Sequence, residues 1–153
     1  CGLMRGGEVA VEDGGSWDAF KHLSRADVSF FRDNDGILCV RLMMRSIKTI
    51  EATKGKCVPL ILKSGGSLLD PVLELWNLFQ LDAVAPGVMG STPLFRACDG
   101  GPIRVCDVRN VVKYLMRCIG EDARYFGAHS LRIGGATSAL AAGIDPATIR
   151  LMG

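Results

Sequence analysis

The stretch His129-Ser130-Leu131-Arg132 contains the residues of this chain that are best suited to chemistry. A histidine and an arginine three positions apart share one face of a helix. The imidazole can transfer a proton, and the guanidinium can bind two oxygens of one phosphate. The pair therefore suits a site that acts on a phosphodiester. Only two histidines occur among the 153 residues, so the position of this one is informative.

Other basic residues could serve the same chemistry. Taken singly, Arg5 and Lys48 are more typical of solvated surface cations, and a lone histidine is more typical of a structural role. A second basic feature repeats every four residues along a predicted helix and consists of Arg109, Lys113 and Arg117. This stripe could lie along a DNA backbone. A solvated helix face is the alternative interpretation.

The elements that must position these residues can be read from turn and cap signals. Three β-rich runs predict a small antiparallel sheet over residues 26–62. Its strands are expected at 27–31, 37–44 and 57–62, with turns at 33–36 and 54–56. The sequence elsewhere is mostly helical in pattern, so we predict an α+β fold: a mostly α-helical domain with one small antiparallel sheet.

Helix signals recur along the rest of the chain. A short helix is expected within 5–13, with Gly14 and Gly15 ending it. Asp70-Pro71 predicts an N-cap and first turn, followed by an apolar face that includes Trp76. Asp107 is expected to cap a helix with an apolar face from Val108 to Ile119, ended by Gly120. Further helices are expected at 129–142, ended by Gly143, and after Asp145-Pro146.

Composition sets broad limits on the class of protein. Apolar residues make up 48% and charged residues 22% of the chain, which is typical of a folded domain. The net charge of +2 permits a nucleic-acid partner without arguing for one. No run of eighteen apolar residues occurs, so no membrane partner is expected. The six cysteines include no CxxC pair, which favours reduced thiols in an intracellular protein, and we expect neither a metal nor a cofactor.

Several segments together resemble the catalytic domain of the tyrosine recombinases, also called phage-type integrases. The segment 129–134, with 142–145 and 149–153 after it, resembles the second conserved box of this family. Leu3-Met4-Arg5-Gly6-Gly7-Glu8 resembles the first box, and Ile47-Lys48-Thr49 resembles the lysine element on a β-hairpin. The resemblance covers 1–153, which we therefore interpret as a partial catalytic domain, truncated at both ends.

The resemblance implies DNA strand cleavage and rejoining through a 3′-phosphotyrosine intermediate, in site-specific recombination or integration of a mobile element. It implies that Arg5 and Arg132 clamp the attacked phosphate and that His129 acts in proton transfer or phosphate binding. Lys48 would protonate the leaving 5′-oxygen, with Lys54 and Lys56 as alternatives. Glu8 would orient Arg5, or be a solvated helix residue.

The nucleophile of the family follows the second box, whereas Tyr114 and Tyr125 both precede His129. We therefore expect the nucleophile beyond Gly153 and interpret Tyr125 as a packing residue. The resemblance also implies double-stranded DNA as partner, a homo-oligomer on DNA, and a location in the nucleus or the bacterial cytoplasm.

Three other interpretations remain open. The first is a recombinase-derived DNA-binding module without catalysis. The second is a domain similar to the type IB topoisomerases, which use a similar set of residues, although the HSLRIGGA stretch favours the recombinases. The third is an unrelated α+β domain in which these residues coincide by chance.

Overall fold

The computed structural model describes residues 6–45, 57–68 and 70–151. The chain combines helices with one small antiparallel sheet, as predicted. It forms two compact units: unit 1 contains residues 1–16 and 97–153, and unit 2 contains residues 17–96. Among the described residues, no helix is long and apolar enough to cross a membrane.

Helices and strands follow one another in this order: α1 Gly6–Val9, β1 Val28–Arg32, β2 Leu38–Met44, β3 Val58–Lys63, α2 Pro71–Leu81, α3 Val105–Cys118, α4 Ala128–Ala141 and α5 Pro146–Leu151. Short 3₁₀ turns occur at Arg25–Asp27, Pro86–Ser91 and Ala123–Tyr125.

The sheet of unit 2 has the strand order β1-β2-β3, with both pairs antiparallel. Val40, at the centre of β2, lies opposite Phe30 and Leu62 and is fully buried. The β1–β2 turn forms where the sequence predicts it, because the Asp33 carboxylate accepts hydrogen bonds from the backbone of residues 35 and 37. Gly36 has φ +77°, a conformation that favours glycine. The predicted sheet is confirmed, with each strand displaced by about one residue.

Helix α2 begins as predicted at the Asp70-Pro71 cap. The Asp70 carboxylate accepts hydrogen bonds from the backbone N–H groups of Val72 and Leu73, and from the Ser64 hydroxyl at 2.6 Å. These bonds, the Ser64 bond first, lower the pKa of Asp70 to about 2. The helix packs chiefly against β2 and β3, burying Val72 completely.

Unit 1 brings distant parts of the chain together. Val11 pairs with the segment before α3: its N–H donates to the Ile103 carbonyl, and its carbonyl accepts from the Val105 N–H, both at 2.9 Å. The predicted helix over 5–13 therefore ends at Val9, because the following backbone bonds to a segment about ninety residues away rather than to itself.

Helix α3 also departs from the prediction. It begins at Val105 rather than after Asp107, whose carboxylate instead accepts a 2.8 Å hydrogen bond from the Arg104 N–H. Its predicted apolar face is mostly solvent-exposed: Val112 is buried, whereas Val111 and Ile119 are 57% and 69% exposed. Gly120, with φ +83°, ends the helix as predicted.

Candidate functional site

The predicted His-x-x-Arg pair lies at the beginning of α4. Gly127 precedes the helix in an extended conformation, and its N–H donates a 3.0 Å hydrogen bond to the Ser130 hydroxyl. The Ser130 N–H in turn donates to the Gly127 carbonyl at 2.9 Å. The serine of the motif thus closes the first turn of the helix, a role that the sequence did not predict because the capping box usually has Glu or Gln at this position.

His129 and Arg132 lie on one face of α4, one turn apart, as predicted. The His129 side chain is exposed, and Arg132 is partly buried. A ligand in solvent can therefore reach the imidazole, while the guanidinium is held more closely against the protein. The first turn of a helix also carries positive partial charge, which favours an anion beside these residues.

Small residues follow the pair along α4. Helix α4 packs against α3, but none of its described side chains is buried. A Cβ atom at Gly134 would have no described atom within 4 Å. The face of α4 at Gly134 is therefore solvent-accessible.

The basic stripe of α3 is not uniform. The Arg109 guanidinium lies 3.3 Å from the Asp13 carboxylate, which also accepts a 2.8 Å hydrogen bond from the Cys106 N–H. Hydrogen bonds from Cys106, and then the charge of Arg109, lower the pKa of Asp13. Arg109 therefore forms an ion pair with Asp13 near the start of α3, whereas Lys113 and Arg117 have no ion pair with any described residue.

The other predicted site residues are not placed by the structure. Arg5 and Lys48 lie outside the described residues, as do the alternatives Lys54 and Lys56. Glu8 belongs to α1, but its side chain is not described. Whether these residues approach His129 and Arg132 stays a prediction.

Tyr125 is not packed among the residues that the structure describes. Its side chain is 79% exposed, and its ring lies 6.0 Å from the guanidinium carbon of Arg124. The packing role expected from the sequence is therefore wrong. The residue lies at the end of a short 3₁₀ turn because Asp122 accepts a hydrogen bond from the Arg124 N–H, which fixes the turn but leaves the next side chain in solvent.

Unit 2 contains a buried charge network that the sequence did not predict. Arg25 is 1% exposed, stacks 4.7 Å above the Phe79 ring and donates to the Asp82 carboxylate. Arg96 donates to the same carboxylate. These bonds, that of Arg96 first, lower the pKa of Asp82. No local signal connects Arg25 with Asp82, because the two residues are 57 positions apart.

No family model, curated protein or solved structure matches this chain. Among the described residues, no group of three or more histidine, cysteine or acidic side chains could hold a metal ion. The five described cysteines are free thiols.

Proposed function

We propose that this chain is part of a tyrosine-type DNA recombinase or integrase, an enzyme that breaks and rejoins DNA strands through a 3′-phosphotyrosine. The observation that carries the proposal is the pair His129 and Arg132, one turn apart on an accessible face of α4 within the segment HSLRIGGA. The antiparallel pairing of β2 and β3, which flank the segment that contains Lys48, also supports the proposal.

The chemistry assigns separate roles to the two residues. The attacked phosphate gains negative charge in its five-coordinate transition state, and Arg132 would bind two of its oxygens. His129 would donate a hydrogen bond to the phosphate or transfer a proton. In this proposal Arg5 is the second clamp, Glu8 orients it, and Lys48 protonates the leaving oxygen.

The DNA backbone would lie near α3 as well as α4, because the two helices pack together within unit 1. Lys113 and Arg117 would neutralise phosphates there. Arg109 would contribute less, since Asp13 already balances its charge. Tyr114 and Tyr125 both precede the His-x-x-Arg pair, whereas the nucleophile of the family follows it. The attacking tyrosine would therefore lie outside these 153 residues.

A binding experiment tests the site directly. The two histidines allow histidine-labelled protein to be titrated with a 20-base-pair duplex while the imidazole signals are followed by NMR. His129 should shift, whereas His22 in unit 2, whose Nδ1 accepts a hydrogen bond from the Asp18 N–H, is the internal control. Arg132→Ala should weaken binding, and Arg124→Ala should not, because Arg124 is already paired with Asp122.

Catalysis needs a second experiment, on a protein in which these residues are followed by a candidate tyrosine. Arg132→Ala should lower strand cleavage by about a hundredfold, since one preorganised donor contributes about 3 kcal/mol to the transition state. Binding of the duplex should change by much less. Wild-type binding without any cleavage would favour a non-catalytic DNA-binding module, and an unshifted His129 signal at saturating DNA would remove α4 from the site.

A further inference from the structure

A groove of about 440 Å³ lies between β1 and α2 in unit 2. Its lining is mostly apolar and consists of Phe30, Phe31, Arg32, Leu38, Leu73 and Trp76. Helix α2 packs chiefly on β2 and β3 and reaches β1 through contacts of Trp76 and Phe79 with Phe30, so a groove is left beside these contacts. A groove of this size accommodates one or two large side chains.

The aromatic walls of the groove are fixed in position. Phe30 makes edge-to-face contacts with Trp76 at 5.1 Å and with Phe79 at 5.3 Å. Even so, Trp76 is 41% exposed and Leu73 40% exposed, although both belong to the helix that supplies the buried Val72. A ligand would therefore find a preformed apolar surface and would not need to rearrange it.

The groove continues around the open edge of the sheet. Phe30 and Phe31 are consecutive residues whose side chains lie on opposite faces of β1, yet both line the groove. Only an element that lies along the strand edge can contact both rings. An extended segment therefore fits this surface better than a helix laid on one face of the sheet.

The backbone of β1 is suited to bind such a segment. The Asp33 N–H donates to the Ile37 carbonyl, so Arg32 and Leu38 form a pair without mutual hydrogen bonds. By the alternation of antiparallel ladders, the N–H and C=O groups of Phe30 and Arg32 point away from β2, toward the open edge. No hydrogen bond to these groups is present in the described part of the chain.

The two edge strands of the sheet differ. Strand β3 carries Pro59, which removes a backbone donor from its edge. Proline is a common means of protecting an edge from strand addition. Strand β1 contains no proline, so its edge is the one open to pairing.

Two arginines lie at this edge, and the neighbouring carboxylates of Asp33 and Asp35 are already paired with Lys63. Arg32 lines the groove and donates one hydrogen bond to the Gly36 carbonyl, and the Arg41 guanidinium lies 5.5 Å from the Phe31 ring centre. Neither arginine forms an ion pair with a described residue. Both are exposed; Arg32 lines the groove and Arg41 contacts Phe31, one of its lining residues, so they favour an acidic partner.

We infer that β1 and this groove bind an extended acidic peptide segment of a partner protein. The segment would add to the sheet as a fourth strand beside β1 and insert one aromatic or branched apolar side chain between Phe30 and Trp76. Its acidic side chains would lie against Arg32 and Arg41. This inference is independent of the DNA chemistry proposed above, because every residue involved belongs to unit 2.

An array of eight-residue peptides provides the probe for the complete 153-residue chain. The central residue is varied through all amino acids, and the flanking positions carry either glutamate or lysine. We expect retention of the chain by glutamate-flanked peptides with a central phenylalanine, tryptophan, leucine or isoleucine. The best such peptide is then measured in solution by fluorescence anisotropy, with a version methylated on alternate backbone nitrogens beside it.

Matched variants separate the groove from the rest of the surface. Arg32→Glu and Leu73→Glu should each weaken binding by about tenfold or more, because they place a negative charge against the acidic peptide. Leu81→Glu adds the same charge to α2 at a residue that is 88% exposed and outside the groove, and it should change binding less than twofold. Circular dichroism checks that each variant is folded. If Leu73→Glu does not fold, Arg32→Glu, at an exposed residue, still tests the groove.

Several results would overturn the inference. They are the absence of retention anywhere on the array, equal retention by lysine-flanked peptides, and no effect of backbone methylation. A fourth is preferential binding of a single-stranded oligothymidylate that Arg32→Glu abolishes, since aromatic side chains beside arginines can also stack nucleobases.

Discussion

The Asp82 carboxylate balances a guanidinium that water does not reach, so its removal should be costly. Arg25 is 1% exposed, and its Nε and Nη1 atoms already have no hydrogen-bond partner. Removing one member of a buried pair costs about 3–5 kcal/mol because the other charge stays buried. The Asp82 side chain is 33% exposed, which places Asp82→Ala near the lower end, at about 3 kcal/mol.

Removing the buried charge instead should cost much less. Arg25→Met keeps a long side chain against the Phe79 ring and leaves Asp82 paired with Arg96, so we expect a change of about 1 kcal/mol. The double variant should then resemble Arg25→Met, because Asp82 no longer has a buried charge to balance. The double variant should therefore be about 3 kcal/mol more stable than the sum of the two single losses predicts.

Urea denaturation followed by tryptophan fluorescence measures these free energies. Both tryptophans, Trp17 and Trp76, belong to unit 2, so the signal reports the unfolding of the unit that contains the network. Asp122→Ala, which breaks the exposed pair with Arg124 in unit 1, is the control and should not shift the transition. Equal losses of unfolding free energy for Asp82→Ala and Arg25→Met would refute the reasoning, since the cost would then not come from leaving a buried charge unpaired.

Three further predictions concern the cap, the core and the basic stripe. The pKa of Asp70 is about 2 in the folded chain, against an ordinary value of 3.8. The ionised carboxylate therefore stabilises the fold above pH 4, and this stabilisation is lost as the pH falls toward 2. Asp70→Asn should flatten the dependence of melting temperature on pH in that interval. Val40→Ala should cost about 2–3 kcal/mol in the same urea titration, from two lost methyl groups and the cavity they leave. Replacing both Lys113 and Arg117 with alanine should reduce the salt dependence of DNA affinity by about two ion equivalents, measured from 50 to 200 mM salt, while Arg109→Ala should change it less.

Local signals predicted much of the fold. The Asp70-Pro71 cap, the 33–36 turn and the glycines at 120 and 143 lie where the sequence places them. Each of these features depends on residues within one turn of one another, so a short window contains the necessary information. The same is true of His129 and Arg132, whose common helix follows from spacing and from the residues around them.

Features that depend on distant contacts were not predictable in this way. The end of α1 is set by the pairing of Val11 with residues 103–105, and the burial of Arg25 depends on Asp82. The exposed face of α3 has an apolar period that is typical of a core helix, yet periodicity alone does not specify how much of that face is covered. The ion pair between Arg109 and Asp13 likewise joins residues far apart in sequence, so the sequence alone did not predict it.

The two ends of unit 2 are joined to each other, which has a consequence for the order of folding. Ser24 pairs with Pro93, the Leu94 N–H donates to the Leu23 carbonyl, and one carboxylate, that of Asp82, binds arginines near both ends. Unit 2 is continuous in sequence and can complete its contacts as soon as residue 96 has left the ribosome. Unit 1 is discontinuous, so the pairing of Val11 with residues 103–105 can form only after those residues have been synthesised. An inserted unit with adjoining ends also adds little loop-closure entropy to the unit that contains it, which makes residues 17–96 a natural boundary for a transplanted or separately expressed module.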